Sequence, residues 1–304
     1  MCVLFAVVAV LPFLIPYVGG YGGLAVEMVI FAIFAMGFDL LLGYTGVLSF
    51  GQAAYFGLAA YSMGLFCIHT HAPILVGMVV GVLVGTAAAV VIGLIIIRKT
   101  GIYFAMLTIA FGQMFFFIAS RWKEVTGGED GLTGIPRDLV SFGLFSWNVN
   151  SDLSYYYFVF AFFVIATLVK YWLVRSHFGQ VLKTIRENEP RARMVGYNVR
   201  RYKLYSFIIA GVYAAVAGVL YGMFLRYIFP QTMDWIRSGN VVIMSLVGGL
   251  GTLFGPIVGA GVVTYLMNFT SYYTKYWQFV MGVIFVVFVL FFPRGIWGFI
   301  ERRR

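Results

Sequence analysis

Apolar residues run along this chain in blocks of about twenty separated by short polar gaps, with no strand-like alternation of apolar and polar positions. About 17–25 apolar residues in a helix cross the hydrocarbon layer of a membrane. Blocks 24–42, 74–97, 102–119, 155–174, 204–225 and 276–292 have that length, and block 2–17 is a shorter version of the same pattern. Regions 43–68 and 238–269 are also apolar but crowded with Gly, Ser, Thr, Gln and Pro, which predicts broken or closely packed helices. The predicted fold is an all-α polytopic membrane protein, a single transmembrane domain over residues 1–304. Counting both interrupted regions gives about ten crossings; eight is the alternative. Two glycine-rich stretches, 43–52 and 248–256, each precede a helix studded with Gly and Ala, which suggests a two-repeat architecture of open orientation.

Composition agrees with lipid as the solvent. Hydrophobic residues make up 62% and charged residues 11% of the 304 positions, against about a quarter charged in soluble domains, so a water-soluble enzyme is excluded. The net charge of +10 does not point to nucleic acid, because the 21 Lys and Arg fall mainly in gaps between apolar blocks and form no basic face. Cys2 and Cys67 are the only cysteines, too few for a disulfide framework or a multi-cysteine metal site. Block 2–17 lacks a basic start and a small-residue cleavage site, and is read as a retained first span.

The placement of charge predicts orientation. Residues 170–203 hold nine Lys and Arg against two acids, and residues 121–153 hold three bases against five acids. By the positive-inside rule the basic loop, 175–203, faces the cytoplasm and the loop 121–153 faces outside. Arg98, Lys99, Arg294 and Arg302–Arg304 then fall inside, as do both termini.

Candidate chemistry is sparse. An interrupted helix at 43–57 would offer free backbone groups together with Thr45, Ser49, Gln52 and Tyr55 to a solute; the alternative is small-residue packing between helices. Asp39 lies in an apolar block, where an acid is costly and marks function or a specific partner; Arg98, Lys99 or water are its expected partners, and Glu27 is expected at the interface. His69 and His71 do not share a helical face as a metal pair needs, so no metal site is expected. An integral-membrane enzyme would need a nucleophile with its base, paired acids or a metal set within the spans, and none is legible. A channel would need a filter loop or a repeated charged ring.

One polar segment has internal order. In residues 175–198, Phe178, Leu182 and Ile185 are spaced for one helical face, Glu187-Asn188-Glu189 and Pro190 end that helix, and Gly196-Tyr197-Asn198 makes a turn before the next span. Two readings stand: a basic anchor that only fixes topology, or a helix that docks on a partner.

This segment resembles the cytoplasmic "EAA-like" coupling loop of ABC importer permeases. Gly43-Tyr-Thr-Gly46-Val-Leu-Ser49-Phe-Gly51-Gln52-Ala-Ala-Tyr55-Phe-Gly57, Gly127-Gly128-Glu129-Asp130-Gly131-Leu-Thr-Gly134-Ile-Pro136 and Gly248-Gly-Leu-Gly251-Thr-Leu-Phe-Gly255-Pro256 are similar to further blocks of the M-type (LivM-type) permeases of branched-chain amino-acid ABC transporters. With the coupling segment, four blocks in order cover roughly residues 25–300. The resemblance implies a bacterial inner-membrane permease subunit of a binding-protein-dependent importer, for branched-chain amino acids or for urea, short amides or aromatic acids. Its implied partners are a second, homologous permease subunit, two cytoplasmic ATPase subunits and an external substrate-binding protein, in membrane lipid and without nucleic acid. The chain has no phosphate loop; no cofactor is expected in it, and ATP and Mg would be used by the partner ATPases. The resemblance further implies ATPase coupling through Phe178, Gly179, Leu182, Arg186, Glu187, Asn188 and Gly196, with Phe178 and Leu182 filling a groove on the ATPase. Contact with the binding protein would fall on Gly128, Glu129, Asp130 and Gly131.

Overall fold

The computed structural model describes residues 2–18, 20–135, 139–141, 146–148, 150–292 and 295–301. Pro136, Asp138, Arg294 and Arg302–Arg304, which enter the sequence motifs and the charge pattern, lie outside the described residues. Helix α1 (Cys2–Leu14) passes through a short turn of 3-10 helix to α2 (Gly22–Asp39), whose end widens into a π-helix (Leu40–Tyr44). Then come α3 (Gln52–Thr70), α4 (Ile74–Ile96), α5 (Ile102–Arg121), the single turn α6 (Lys123–Thr126), and the short strands β1 (Leu132–Thr133), β2 (Leu139–Ser141) and β3 (Ser146–Asn148). The second part holds α7 (Asp152–Arg175), α8 (His177–Glu187), α9 (Glu189–Met194), α10 (Val199–Leu225), β4 (Tyr227–Ile228), α11 (Trp235–Gly248), α12 (Gly255–Tyr273), α13 (Trp277–Phe291) and α14 (Gly295–Glu301).

Ten of these, α1–α5, α7 and α10–α13, make up the bundle, with α8 and α9 on a basic face and residues 122–135 on a loop face. Five of the ten are long and apolar enough to cross a membrane unaided: α2 with its π-helix, α4, α5, α7 and α10. The fold is all-α and polytopic, as the block pattern predicts. Helix α2 is its axis. Nearly every residue from Gly23 to Asp39 is buried, while α4 and α5 turn Val79, Leu83, Ile102 and Phe117 outward, where lipid is the matching solvent.

Helices α2–α5 and α10–α13 make two halves with matching contacts: α3 packs on α4 as α11 packs on α12, while α4 lies across α10 and α12 across α2. Each half contains a break, at 45–51 after α2 and at 226–234 after α10, through which the chain enters the bundle before α3 and α11 begin. The two glycine-rich stretches meet each other, with the Gly251 amide bonded to Asp39 beside Gly43 at the basic face.

Irregular backbone inside a bundle needs partners from protein. The Phe50 amide donates to Thr108 Oγ1 at 3.0 Å, and the Ala53 amide donates to Ser238 Oγ at 2.9 Å. The first turn of α3 thus touches the first turn of α11. Across the second break, Gln113 Nε2 of α5 donates to Asp234 Oδ1 at 2.9 Å.

Candidate functional site

On the basic face α8 lies against the ends of the spans. Ser176 separates it from α7, and Gly179 presses onto the last turn of α7: a Cβ there would sit 2.6 Å from the Leu173 carbonyl oxygen and closer still to that of Val174. Asn188 ends α8 and caps α9, its Oδ1 accepting from the Arg191 amide at 3.0 Å. Gly196, with φ +96°, turns the chain out of α9.

The apolar side of α8 faces the protein. Leu182 is fully buried with Leu40 and Tyr44, Phe178 stacks on Tyr202 at 5.7 Å, and Val181 and Ile185 pack with Ala192 and Val199. Burial of such side chains stabilises by about 2 kcal/mol each, which holds α8 in place. Leu182 is therefore turned to its own spans and not free for a groove on a partner, while Phe178 stays half-buried beside Tyr202. An apolar stripe shows that one face of a helix is covered, and here its own spans cover it. The outward surface comprises His177, Gln180, Lys183, Glu187, Asn188 and the end of α9, where Met194 is 86% and Val195 68% exposed. Two apolar side chains standing free among Arg191, Arg193 and Glu187 are what sequence reasoning missed; the signal was Met-Val inside an otherwise polar loop.

Beneath α8 lies a buried charge cluster. Lys170 Nζ of α7 is 2.9 Å from Asp39 Oδ2 and 3.4 Å from the Thr252 carbonyl oxygen, and the Gly251 amide donates to Asp39 Oδ1 at 2.7 Å. Both side chains of the pair are shut off from solvent. Arg186 of α8 donates to the Gly43 carbonyl, and Lys183 and Lys170 sit 5.7 and 5.8 Å from the Tyr44 ring centre. The cluster ties α2, α7, α8 and the 249–254 turn together at the start of the first break. Asp39 thus takes its partner from α7 and not from Arg98 or Lys99, because Lys170 lies inside the apolar helix, one turn from its end.

The first break opens on a cavity of about 620 Å³ at the basic face, lined by Val47, Leu48, Phe50, Lys99, Glu189 and Lys203 among others. Thr45, Ser49, Gln52 and Tyr55 stand behind it, each at most 2% exposed in the single chain. Thr45 Oγ1 donates to the Leu40 carbonyl at 3.0 Å, and Ser49 Oγ accepts from the Gly51 amide at 3.4 Å. Gln52 differs from these. Among the described residues neither side-chain polar atom of this fully buried amide has a hydrogen-bond partner, an unusual and costly state. Glu27 is half-buried and not at a free interface: its Oε2 accepts from the Tyr21 hydroxyl at 3.1 Å and from Asn268 Nδ2 at 3.4 Å.

At the loop face, Glu129 and Asp130 are exposed, Gly131 is half-buried and Gly128 is buried. The segment is hooked to the second break. β1 pairs antiparallel with β4, Leu132 opposite Ile228, and the Tyr227 hydroxyl donates to the Asp130 carbonyl at 2.7 Å. Gly131 has φ +75°, and a Cβ there would strike the Ile228 carbonyl oxygen, so this contact depends on glycine.

One pH effect follows on the basic face. Burial raises the Glu189 carboxyl, but the Lys203 ammonium at 2.6 Å and the Arg193 guanidinium at 2.5 Å outweigh it and hold it below its ordinary value of 4.5. A depressed carboxylate stabilises fully above its unfolded value and loses that contribution as pH falls through the lower folded one. The protection of α9 amides, relative to their intrinsic exchange rate at each pH, is therefore expected to be high at pH 6 and to fall below about pH 4, and Glu189→Gln is expected to abolish the dependence. Unchanged pH sensitivity in that variant would remove the assignment.

Comparison with known sequences follows this geometry. The family described as branched-chain amino acid transport system / permease component matches residues 20–289. The high-affinity branched-chain amino acid transport system permease protein LivM of Escherichia coli strain K12 is 25% identical over 293 residues, covering 90% of this chain and 69% of that protein. The probable branched-chain amino acid transport permease protein LivH of Methanocaldococcus jannaschii is 26% identical, covering 87% of each. The ribose import permease protein RbsC of Escherichia coli strain K12 is 26% identical, covering 85% of this chain and 81% of that protein. No solved structure matches.

Proposed function

Since this chain belongs to the family of branched-chain amino acid transport system permease components, we propose that it forms half of the membrane pore of a binding-protein-dependent ABC importer. It is a transport permease and not an enzyme. Its cargo on this reading is a branched-chain amino acid or a related small solute. Its partners are a second, homologous permease subunit, two cytoplasmic ATPase subunits that use ATP and Mg, and an external binding protein; the chain itself holds no cofactor. The basic face is then cytoplasmic, with both termini on that side of a bacterial inner membrane.

The observation that carries this reading is the seating of α8. A helix held by its apolar side on the ends of α2 and α10, with a polar outer side tipped by Met194 and Val195, is built to pass a push inward. An ATPase subunit would take the Met194–Val195 knob in an apolar groove and pair with Arg191, Arg193 and Glu187 around it. Movement of α8 reaches the first break through Arg186 on Gly43 and through the Asp39–Lys170 cluster. On the opposite face, a binding protein bearing on Glu129 and Asp130 would move the second break through the β1–β4 pair. The two breaks are thus latched at different faces, so that a partner on either face could move one of them. Gln52, unpaired at the start of α3, is the pathway residue this arrangement favours, with the opening of the 45–51 break exposing it.

The similarity to a ribose import permease supports a second reading, in which the cargo is a neutral polyol. ATP hydrolysis by the reconstituted complex, with its binding protein loaded in turn with leucine, urea, benzoate or ribose, decides between them. Stimulation by leucine alone is expected; stimulation by ribose alone would establish the second reading, and an intact complex stimulated by none would remove both.

A further inference from the structure

A charged cavity, separate from the one at the first break and from α8, lies between α2, α11 and α12. Its volume is about 90 Å³, and Glu27, Arg237, Asn240, Thr264 and Asn268 supply its polar lining. Two opposite charges within a helix bundle are costly and mark a functional site by default. Arg237 is in the first turn of α11, a 14-residue helix, so its guanidinium and the helix N-terminus both favour an anion there. Its plane lies over Phe31 and Tyr221, 5.4 and 5.1 Å from the ring centres, which leaves its edge for a partner. Glu27 faces it from α2, and the Tyr221 hydroxyl is in reach of both.

A second observation points to a ligand. Thr264 is 3% exposed and lines this cavity, yet among the described residues its hydroxyl has no hydrogen-bond partner. A closed structural ion-pair cluster has no use for an orphaned hydroxyl, whereas a site with an absent occupant does. Above the cavity is a vestibule of about 620 Å³ at the loop face, walled by Tyr21, Tyr265, Phe269, Tyr272 and Tyr273, and Asn268 lines both spaces.

We propose that this cavity binds the head group of a zwitterionic α-amino acid, the carboxylate on Arg237 and Thr264, the ammonium on Glu27 and Asn268, with the side chain in the aromatic vestibule. Charge excludes the other cargoes. A lone anion such as an aromatic acid meets Glu27, a lone cation meets Arg237, and urea or a sugar leaves both charges without a counterion. The cavity accommodates an ammonium and a carboxylate one carbon apart but not a branched side chain, which must point up into the vestibule. The proposal deepens the importer reading and rests on it.

The test uses the assembled complex without its binding protein. Leucine at millimolar concentration is expected to raise the melting temperature of the complex, while 4-methylpentanoate and 3-methylbutylamine, each keeping one of the two charges, leave it unchanged. Arg237→Gln is expected to abolish the shift, and Thr264→Val to raise the half-saturating leucine concentration about threefold to tenfold, as loss of one hydrogen bond does. Thr264→Val also guards against misfolding, because removal of an unpaired buried hydroxyl leaves the unliganded protein as stable or more so. Equal shifts from leucine and the single-charge analogues, an undiminished leucine shift in both variants, or no leucine shift in a wild-type complex that takes up leucine would overturn the proposal. Leucine uptake by the same complex with its binding protein restored is scored separately, so failure of the importer reading is distinguished from failure of the site.

Discussion

Replacement of Lys170 by Met is expected to destabilise the protein by about 3–5 kcal/mol, the cost of leaving a buried charge without its partner. The pair has no access to solvent, and the one other donor on Asp39, the Gly251 amide at 2.7 Å, cannot replace a cation. The loss is expected as a lower melting temperature in detergent and as separation of α7 from the 249–254 turn, since Lys170 also reaches the Thr252 carbonyl. The double variant Asp39→Leu with Lys170→Leu is expected to recover most of the stability, because a well-packed apolar pair often equals a buried ion pair. It should nevertheless transport poorly, since the cluster ties α8 to the first break. A single-variant cost under about 1 kcal/mol, typical of solvated pairs, would show that water reaches Asp39.

Replacement of Gly179 by Val is expected to reduce uptake more than about tenfold, equivalent to 1.4 kcal/mol on the rate-limiting step, while the protein still reaches the membrane. Any Cβ at this position meets two carbonyl oxygens of α7, those of Leu173 and Val174. These are backbone atoms of a packed helix and cannot rotate away, so α8 must shift on the spans by an ångström or more. Phe178 then leaves Tyr202, and Arg186 leaves Gly43. ATP hydrolysis is expected to continue, no longer responsive to the loaded binding protein. A transport rate near wild type would show that the α7–α8 junction carries no coupling.

The spans were legible because lipid imposes a simple rule: an unbroken apolar block of fixed length must be a helix. Breaks obey no such rule. The one at 45–51 was visible through its Gly and Ser residues, while that at 226–234, with the residues Arg226-Tyr-Ile-Phe-Pro230, looks like the end of a span followed by a loop. The amphipathic α8 was legible from its spacing, but periodicity reports only that one side is covered, and what covers Phe178 and Leu182 is tertiary information. Asp39 shows the same limit. Its partner is 131 residues away in the chain, inside a block whose apolar average conceals one lysine, and no local pattern records such a contact. Glu27, Arg237 and Thr264 were invisible as a site for that reason, coming from three helices far apart in the chain.

The central claim is that the exposed end of α8 and α9 is where the ATPase docks. A photo-reactive side chain at Val195 in the assembled, ATP-hydrolysing complex tests it directly, with the same probe at Thr133 on the loop face as the comparison. The account predicts an adduct between the Val195 probe and the ATPase subunit, and none to that subunit from Thr133. An active complex in which Val195 captures no ATPase, or in which Thr133 does, would contradict it.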